Sequence, residues 1–169
     1  MQIDLNIYPG TRNYKMLTRF NRILFVCVGN ICRSPMAEYW GRYQLQLVNK
    51  ENKEIQIESA GLYALQNEPI APEVKEILAR YHIDTTSHYG KQINEELVIR
   101  ADIIFTMEEW QKQELSLAFP SSHGKIFRIG KWRDEEIADP YRENQEVFEN
   151  TFQLIRTNWD VWQNKLWRL

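Results

Sequence analysis

The stretch "ILFVCVGNICRSPMAE", residues 23–38, decides the reading of the fold. Its first six residues are apolar with no polar alternation, the pattern of a strand covered on both faces in a parallel sheet. Pro35 suits the first position of a helix, and "PMAEYWGRYQLQLV" (35–48) continues with helix formers despite Gly41. The connection between strand and helix carries Gly29, Asn30 and the chain's two cysteines, Cys27 and Cys32, with Arg33 directly after the second.

Outward from this stretch, "EIQIES" (54–59), "ADIIFTM" (101–107) and "KIFRIG" (125–130) read as further strands. "PEVKEILARYH" (72–82) reads as a helix with Val74, Ile77, Leu78 and Tyr81 on one face, and "EEWQKQELSLA" (108–118) as a short one. Phe148, Phe152, Ile155, Trp159, Trp162 and Leu166 follow at spacings of 4, 3, 4, 3 and 4, which predicts a long amphipathic helix whose aromatics are core. This alternation predicts an α/β fold: a three-layer sandwich around a central four-stranded, mostly parallel sheet, flavodoxin- or Rossmann-like, with a phosphate-binding loop between the first strand and first helix. Ligands in such sheets bind beyond the carboxyl ends of the strands, where Cys27 falls.

The 169 residues suffice for one compact domain, and 43% hydrophobic with 26% charged residues excludes a disordered chain. A net charge of −2 gives no global attraction for nucleic acid or an anionic membrane, so any anion site is local. No apolar run approaches the roughly 18 residues of a membrane span. The first 22 residues lack the apolar centre of a secretory signal. A cytoplasmic protein is expected, with no nucleic-acid partner and no membrane insertion, whose two cysteines are catalytic or redox-active rather than a staple.

If residues 27–34 curl around an anion, Gly29 permits a left-handed backbone and Asn30 tolerates one. The N–H groups from Val28 to Arg33 then turn inward as a nest opening onto a helix N-terminus. Arg33 adds a planar fork of donors matched to two phosphate oxygens. A thiol at the base of such a ring faces positive dipoles that favour its nucleophilic form, and Ser34 can hydrogen-bond the sulfur as it leaves. The pattern suits attack of the Cys27 sulfur on phosphorus. A C-x5-R spacing alone would leave Cys27 a small buried residue; the complete string reverses that. A Walker-type loop is excluded by the absence of G-x4-G-K-[ST], and no cysteine or histidine pair follows that would make a zinc site. Among 23 acidic residues, Asp139 stands out because Pro140 fixes an extended geometry after the fourth strand, although Asp-Pro alone is an ordinary turn opener.

The same 16 residues closely resemble the signature of low-molecular-weight protein tyrosine phosphatases. "ESAG" (58–61), "HYGKQI" (88–93), "ADIIFTME" (101–108) and "IADPYRENQEVFE" (137–149) follow in family order, so the resemblance runs from about Met16 onward. "DPYR" followed by "EVF" is most similar to the bacterial branch found with capsule and exopolysaccharide genes, whose members act on tyrosine autokinases. The resemblance implies hydrolysis of phosphotyrosine through a cysteinyl-phosphate, with no metal or organic cofactor. It also implies a phosphotyrosine protein as substrate, namely a tyrosine kinase controlling polysaccharide production, and inorganic phosphate as product. Cys27 and Arg33 become nucleophile and phosphate clamp, and Asp139 the general acid that later serves as base. Val28, Gly29, Asn30, Ile31, Cys32 and Ser34 form the substrate-binding loop, with Tyr141 as an aromatic wall. Mammalian members carry a tryptophan on the opposite wall, where this chain has Ala64 beside Leu65, which implies a more open or aliphatic pocket. Ser59 and His88, with Ser34, are implied to support Asn30 from behind; Lys91 stands where relatives often carry arginine. Cys32 is either a packed small residue or, as the resemblance implies, a redox partner that captures oxidised Cys27.

Other functions compete. An arsenate reductase-like protein of this fold would need cysteines downstream of the loop, and none follows Cys32. A phosphocysteine carrier domain would lack Arg33 and the Asp-Pro acid. A non-enzymatic phosphotyrosine-binding module would lack nucleophile or acid, and both are present. Residues 1–20 are expected to form a partly disordered N-terminal extension and residues 21–169 a single phosphatase domain; Arg12, Lys15, Arg19 and Arg22 are read as a solvated arm, with an acidic partner as the alternative.

Overall fold

The structure, a computed structural model, describes residues 20–48 and 55–167. The expected extension lies outside them except for Phe20, which packs against the larger core cluster. The elements run β1 (Arg22–Cys27), α1 (Arg33–Val48), β2 (Gln56–Gly61), α2 (Pro72–Ala79), α3 (Glu95–Arg100), β3 (Ile103–Thr106), α4 (Glu109–Ala118), β4 (Ile126–Arg128) and α5 (Gln145–Trp167). The sheet order is β2-β1-β3-β4, and the mostly parallel sheet is parallel throughout. Cys27 pairs with Gly61 at the carboxyl edge, and Val26 with Thr106.

The unbroken apolar run of β1 follows from this position. Ile23, Phe25 and Cys27 face a core shared with α1, α2 and α5, while Leu24 and Val26 face a smaller one built on α3 and α4. A central strand covered on both sides has no solvent face to alternate toward. The α5 stripe lies in the larger core: Phe148, Phe152, Ile155, Trp159 and Trp162 are buried, with the Trp162 ring 4.6 Å from Phe105 and Trp159 5.4 Å from Phe25. Gly41 fits the helix because a Cβ there would stand 3.0 Å from Ile57 and 3.4 Å from Trp159, so its absence lets α1 sit close to β2 and α5.

Some boundaries differ from the sequence expectation. Helix α1 begins at Arg33, with Met36 N–H bonding the Cys32 carbonyl, so Pro35 is its third residue rather than its first. Proline is still accommodated, because first-turn N–H groups have no intrahelical partner. Helix α2 ends at Ala79 rather than continuing to His82, because His82 adopts φ 59° and the Ile83 N–H turns back to the Leu78 carbonyl. A left-handed residue past the last turn ends a helix in this way. Helix α3 was not read from the sequence, although Asn94 caps it by accepting from Leu97 N–H at 2.9 Å, and Glu95 and Glu96 occupy its first turn.

Candidate active site

Cys27 ends β1, buried at the sheet edge. Its Sγ lies 3.0 Å from Ser34 Oγ and accepts the Asn30 N–H at 3.3 Å. The left-handed residue of the loop is Asn30, φ 58°, and not Gly29, whose hydrogen-side space is bounded by Leu65 at ordinary contact distance. Three side-chain bonds hold Asn30 in that conformation: Nδ2 donates to Ser34 Oγ (2.9 Å) and Ser59 Oγ (2.8 Å), and Oδ1 accepts from Lys91 N–H (3.0 Å). His88 Nε2 meets the Asn30 carbonyl at 2.8 Å; a carbonyl only accepts, so this nitrogen carries the hydrogen. The structure thus brings Ser34, Ser59 and His88 together behind Asn30. It extends the network to Glu38, which accepts from Ser59 and pairs with Arg42 at 2.6 Å. Glu38 sits on α1 one turn after Ser34 and was not singled out from the sequence.

The Arg33 guanidinium is almost wholly buried and reaches the segment before Pro140. Nη2 donates to Asp139 Oδ2 (2.8 Å), Nη1 donates to the Ile137 carbonyl (2.8 Å) and faces Glu108 Oε2 (3.2 Å), and Nε has no partner among the described residues. One side chain at the start of α1 therefore ties the Cys27 loop to the candidate acid, residues 106 apart in sequence. Asp139 Oδ1 accepts the Tyr141 N–H at 3.2 Å, which orders the turn beyond Pro140. Glu108, also missed in the sequence, caps α4; its Oε2 collects Trp110 Nε1 (2.8 Å) and Gln111 Nε2 (3.1 Å) as well as Arg33. Glutamate is not among the residues that mark a helix N-cap in sequence, so the capping box it forms with Gln111 carried no clear signal there.

Above the sulfur lies a cavity of about 170 Å³, lined by Cys27, Val28, Gly29, Ile31, Cys32, Tyr63, Leu65, Asp139 and Tyr141. That is smaller than the roughly 300 Å³ at which pockets for drug-sized ligands begin, and suits one modified side chain. Asn30 and Ser34 lie behind the loop rather than in this wall, both fully buried. The wall expected around Ala64 is carried by its neighbours: Ala64 N–H is taken up by Gln92 Oε1 at 2.9 Å, while Tyr63 and Leu65 line the cavity. The pocket is therefore more aromatic than the sequence implied. The Tyr63 hydroxyl donates to Glu114 of α4, which raises its phenol above the ordinary value. Burial, reinforced by Cys27 next to it, pushes the Cys32 thiol up to about 12, so Cys32 is a neutral thiol at physiological pH. His82 and His123 are exposed, away from these contacts.

A sequence model described as "Low molecular weight phosphotyrosine protein phosphatase" matches residues 22–168, from the start of β1 past the end of α5. The chain belongs to this family. It is similar to the probable low molecular weight protein-tyrosine-phosphatase EpsP of Ralstonia nicotianae, 40% identical over 140 residues covering 83% of this chain and 92% of that protein. It is also similar to the low molecular weight protein-tyrosine-phosphatase Wzb of Escherichia coli K12, 36% identical over 87% of this chain and 96% of that one. The solved structure of Vibrio vulnificus Wzb in complex with benzylphosphonate superposes with a TM-score of 0.78 at 32% identity, covering 86% of this chain and 99% of that one. The protein is a protein-tyrosine-phosphatase, a hydrolase of the low-molecular-weight type. Among the described residues no helix is long and apolar enough to cross a membrane.

Proposed function

We propose that this phosphatase hydrolyses phosphotyrosine through a cysteinyl-phosphate, with Cys27 as nucleophile, Arg33 as phosphate clamp and Asp139 as general acid. The observation that carries the reading is that Cys27 and Asp139 line one small cavity, joined through Arg33. Ser34 and the Asn30 N–H converge on the sulfur that would attack. In the first step the Cys27 sulfur bonds to phosphorus as the bond to the tyrosine oxygen breaks. Asp139 protonates that oxygen, whose conjugate acid has a pKa near 10. In the second step water attacks phosphorus, the Asp139 carboxylate takes its proton, the P–S bond breaks and inorganic phosphate leaves. Ser34 hydrogen-bonds the departing sulfur. Arg33 Nε, buried without a partner among the described residues, and the Nη pair now on Asp139, Ile137 and Glu108 are the donors that would turn to phosphate oxygens.

The complex of Vibrio vulnificus Wzb with benzylphosphonate, a phosphonate that carries a phenyl ring, supports a ring-bearing phosphate ester as the substrate here. The EpsP and Wzb names belong to the capsule- and exopolysaccharide-associated branch that the sequence resembles, which supports a tyrosine autokinase as the physiological substrate. The reading includes a cytoplasmic site of action, where thiols stay reduced. It also includes Cys32 as redox partner. Peroxide oxidises the Cys27 sulfur to a sulfenic acid, and the Cys32 thiol then condenses with it, releasing water and forming a disulfide. Both cysteines are free thiols here.

The test compares phosphotyrosine and phosphoserine peptides across pH 5–8, with Cys27→Ser and Asp139→Ala. Hydrolysis confined to phosphotyrosine, an inactive Cys27→Ser and an Asp139→Ala slowed by about 10²–10⁴ are expected. Binding of phosphotyrosine without turnover by the reduced wild type would overturn the reading.

A further inference from the structure

Tyr63 is absent from the residues the sequence analysis assigned to the site, yet it lines the same cavity as Cys27 and Tyr141. It is 59% exposed, so packing does not hold its ring. Two other sets of contacts do. Along the backbone, the N–H groups of Leu62, Tyr63 and Leu65 donate to the carbonyls of Cys27 (2.9 Å), Val28 (3.0 Å) and Gly29 (2.9 Å). Gly61 and Gly90 allow that approach: a Cβ at Gly61 would stand 2.4 Å from the Val28 carbonyl oxygen, and one at Gly90 2.2 Å from that of Leu65. Residues 61–65 are thereby fixed to the nucleophile loop. At the tip of the side chain, the hydroxyl donates to Glu114 on α4.

An exposed tyrosine-to-carboxylate bond competes with water and adds little to stability. It does remove rotamer freedom before any ligand arrives, the cost that preorganised sites avoid at binding. Tyr141 is held in a comparable way, its N–H on Asp139 Oδ1 and the Arg142 guanidinium 5.3 Å over its ring. Two exposed aromatic side chains, Tyr63 held by its hydroxyl and Tyr141 by the cation over its ring, line one small cavity together with Cys27.

We propose that Tyr63, oriented by Glu114, is a specificity-determining residue that with Tyr141 forms paired aromatic walls for the substrate's phenyl ring, selecting aryl over alkyl phosphomonoesters. The inference rests on the phosphotyrosine reading above and names the residue that makes the cavity selective. Tyr63 touches the ring; Glu114 acts through Tyr63 as a positioning residue. Aromatic pairs contribute about 0.5–1.5 kcal/mol beyond area burial, which corresponds to about a twofold to tenfold change in affinity. A phosphoserine stem offers no ring to take up that contact.

The test measures Ki for benzylphosphonate and for inorganic phosphate as competitive inhibitors of 4-nitrophenyl phosphate hydrolysis by the full chain. Wild type is compared with Tyr63→Ala, Tyr63→Phe, Glu114→Ala and the Tyr63→Phe/Glu114→Ala double variant. Thermal melts accompany each to verify folding. Tyr63→Ala is expected to raise the benzylphosphonate Ki about fivefold to tenfold while the phosphate Ki stays constant. Tyr63→Phe and Glu114→Ala are each expected to raise it about twofold, and the double variant no further, since both remove one bond. A Ki ratio unchanged in Tyr63→Ala, or both constants moving together, would overturn the proposal. A ratio that moves in Tyr63→Ala but not in Glu114→Ala would overturn the role of Glu114. If Cys27→Ser retains hydrolysis, the underlying reading fails; if it is inactive and the Ki ratio does not respond, this inference fails alone.

Discussion

Replacing Asn30 tests how the Cys27 loop keeps its shape. In Asn30→Ala three side-chain hydrogen bonds disappear, those to Ser34, Ser59 and Lys91. At about 1 kcal/mol net each they amount to about 3 kcal/mol. The backbone at φ 58° costs an alanine about 1 kcal/mol more than an asparagine, whose side chain tolerates the left-handed region. The sum is about 4 kcal/mol, which for a chain of this size lowers Tm by about 8–16 °C. Asn30→Gly loses the same bonds but carries no left-handed penalty, so it should melt about 2–4 °C above Asn30→Ala. Thermal melts of the three proteins at neutral pH read this directly. Asn30→Ala melting within about 2 °C of wild type, or Asn30→Gly melting below Asn30→Ala, would refute the reasoning, because the network would then not be what holds the loop.

Three further outcomes follow from other contacts. The Cys32 thiol, raised by burial to about 12, contributes stability that is fully present below the unfolded thiol pKa near 8.5 and is lost as pH rises toward 12. The Tm difference between wild type and Cys32→Ala should therefore stay flat from pH 6 to 8 and move against wild type above about pH 9; a pH-independent difference would contradict this. Gly90→Ala drives a Cβ to 2.2 Å from the Leu65 carbonyl oxygen, so it should cost about 1–3 kcal/mol and raise KM as the Leu65 wall shifts, measured by urea melts and steady-state kinetics. Cys32→Ser should keep activity but regain less of it than wild type after peroxide followed by reductant, and equal recovery would argue against Cys32 as the redox partner.

The sequence carried the fold through patterns that depend on local chemistry. The apolar run of β1, the 3–4 spacing in α5 and the strand–helix alternation each report burial, and the structure buries those residues. The contacts of the Cys27 loop were partly legible for the same reason: Cys27, Asn30 and Ser34, which the structure brings together, lie within a few consecutive residues. What escaped reading depends on distance. Glu38 and Glu108 are ordinary helix carboxylates in the sequence, and only packing brings them to Ser59 and Arg33. Tyr63 was passed over because the opposite wall was counted along the chain to Ala64. The side chain that reaches the cavity is set by the bonds from residues 62, 63 and 65 to the loop carbonyls. The left-handed turn at His82, which shortens α2, carries no glycine to mark it; histidine is among the non-glycine residues enriched in that conformation, but the helical spacing of its neighbours outweighed that signal.

The central claim is that the Cys27 sulfur takes the phosphoryl group from the substrate. Acid-quenching the wild-type enzyme during turnover of a phosphotyrosine peptide, followed by mass spectrometry of its proteolytic peptides, tests it most directly. The account predicts one phosphoryl group on the peptide containing Cys27, accumulating during turnover, absent from Cys27→Ser and decaying as inorganic phosphate appears. Full turnover with no phosphoryl group on Cys27, or a Cys27→Ser enzyme that still hydrolyses the peptide, would contradict it.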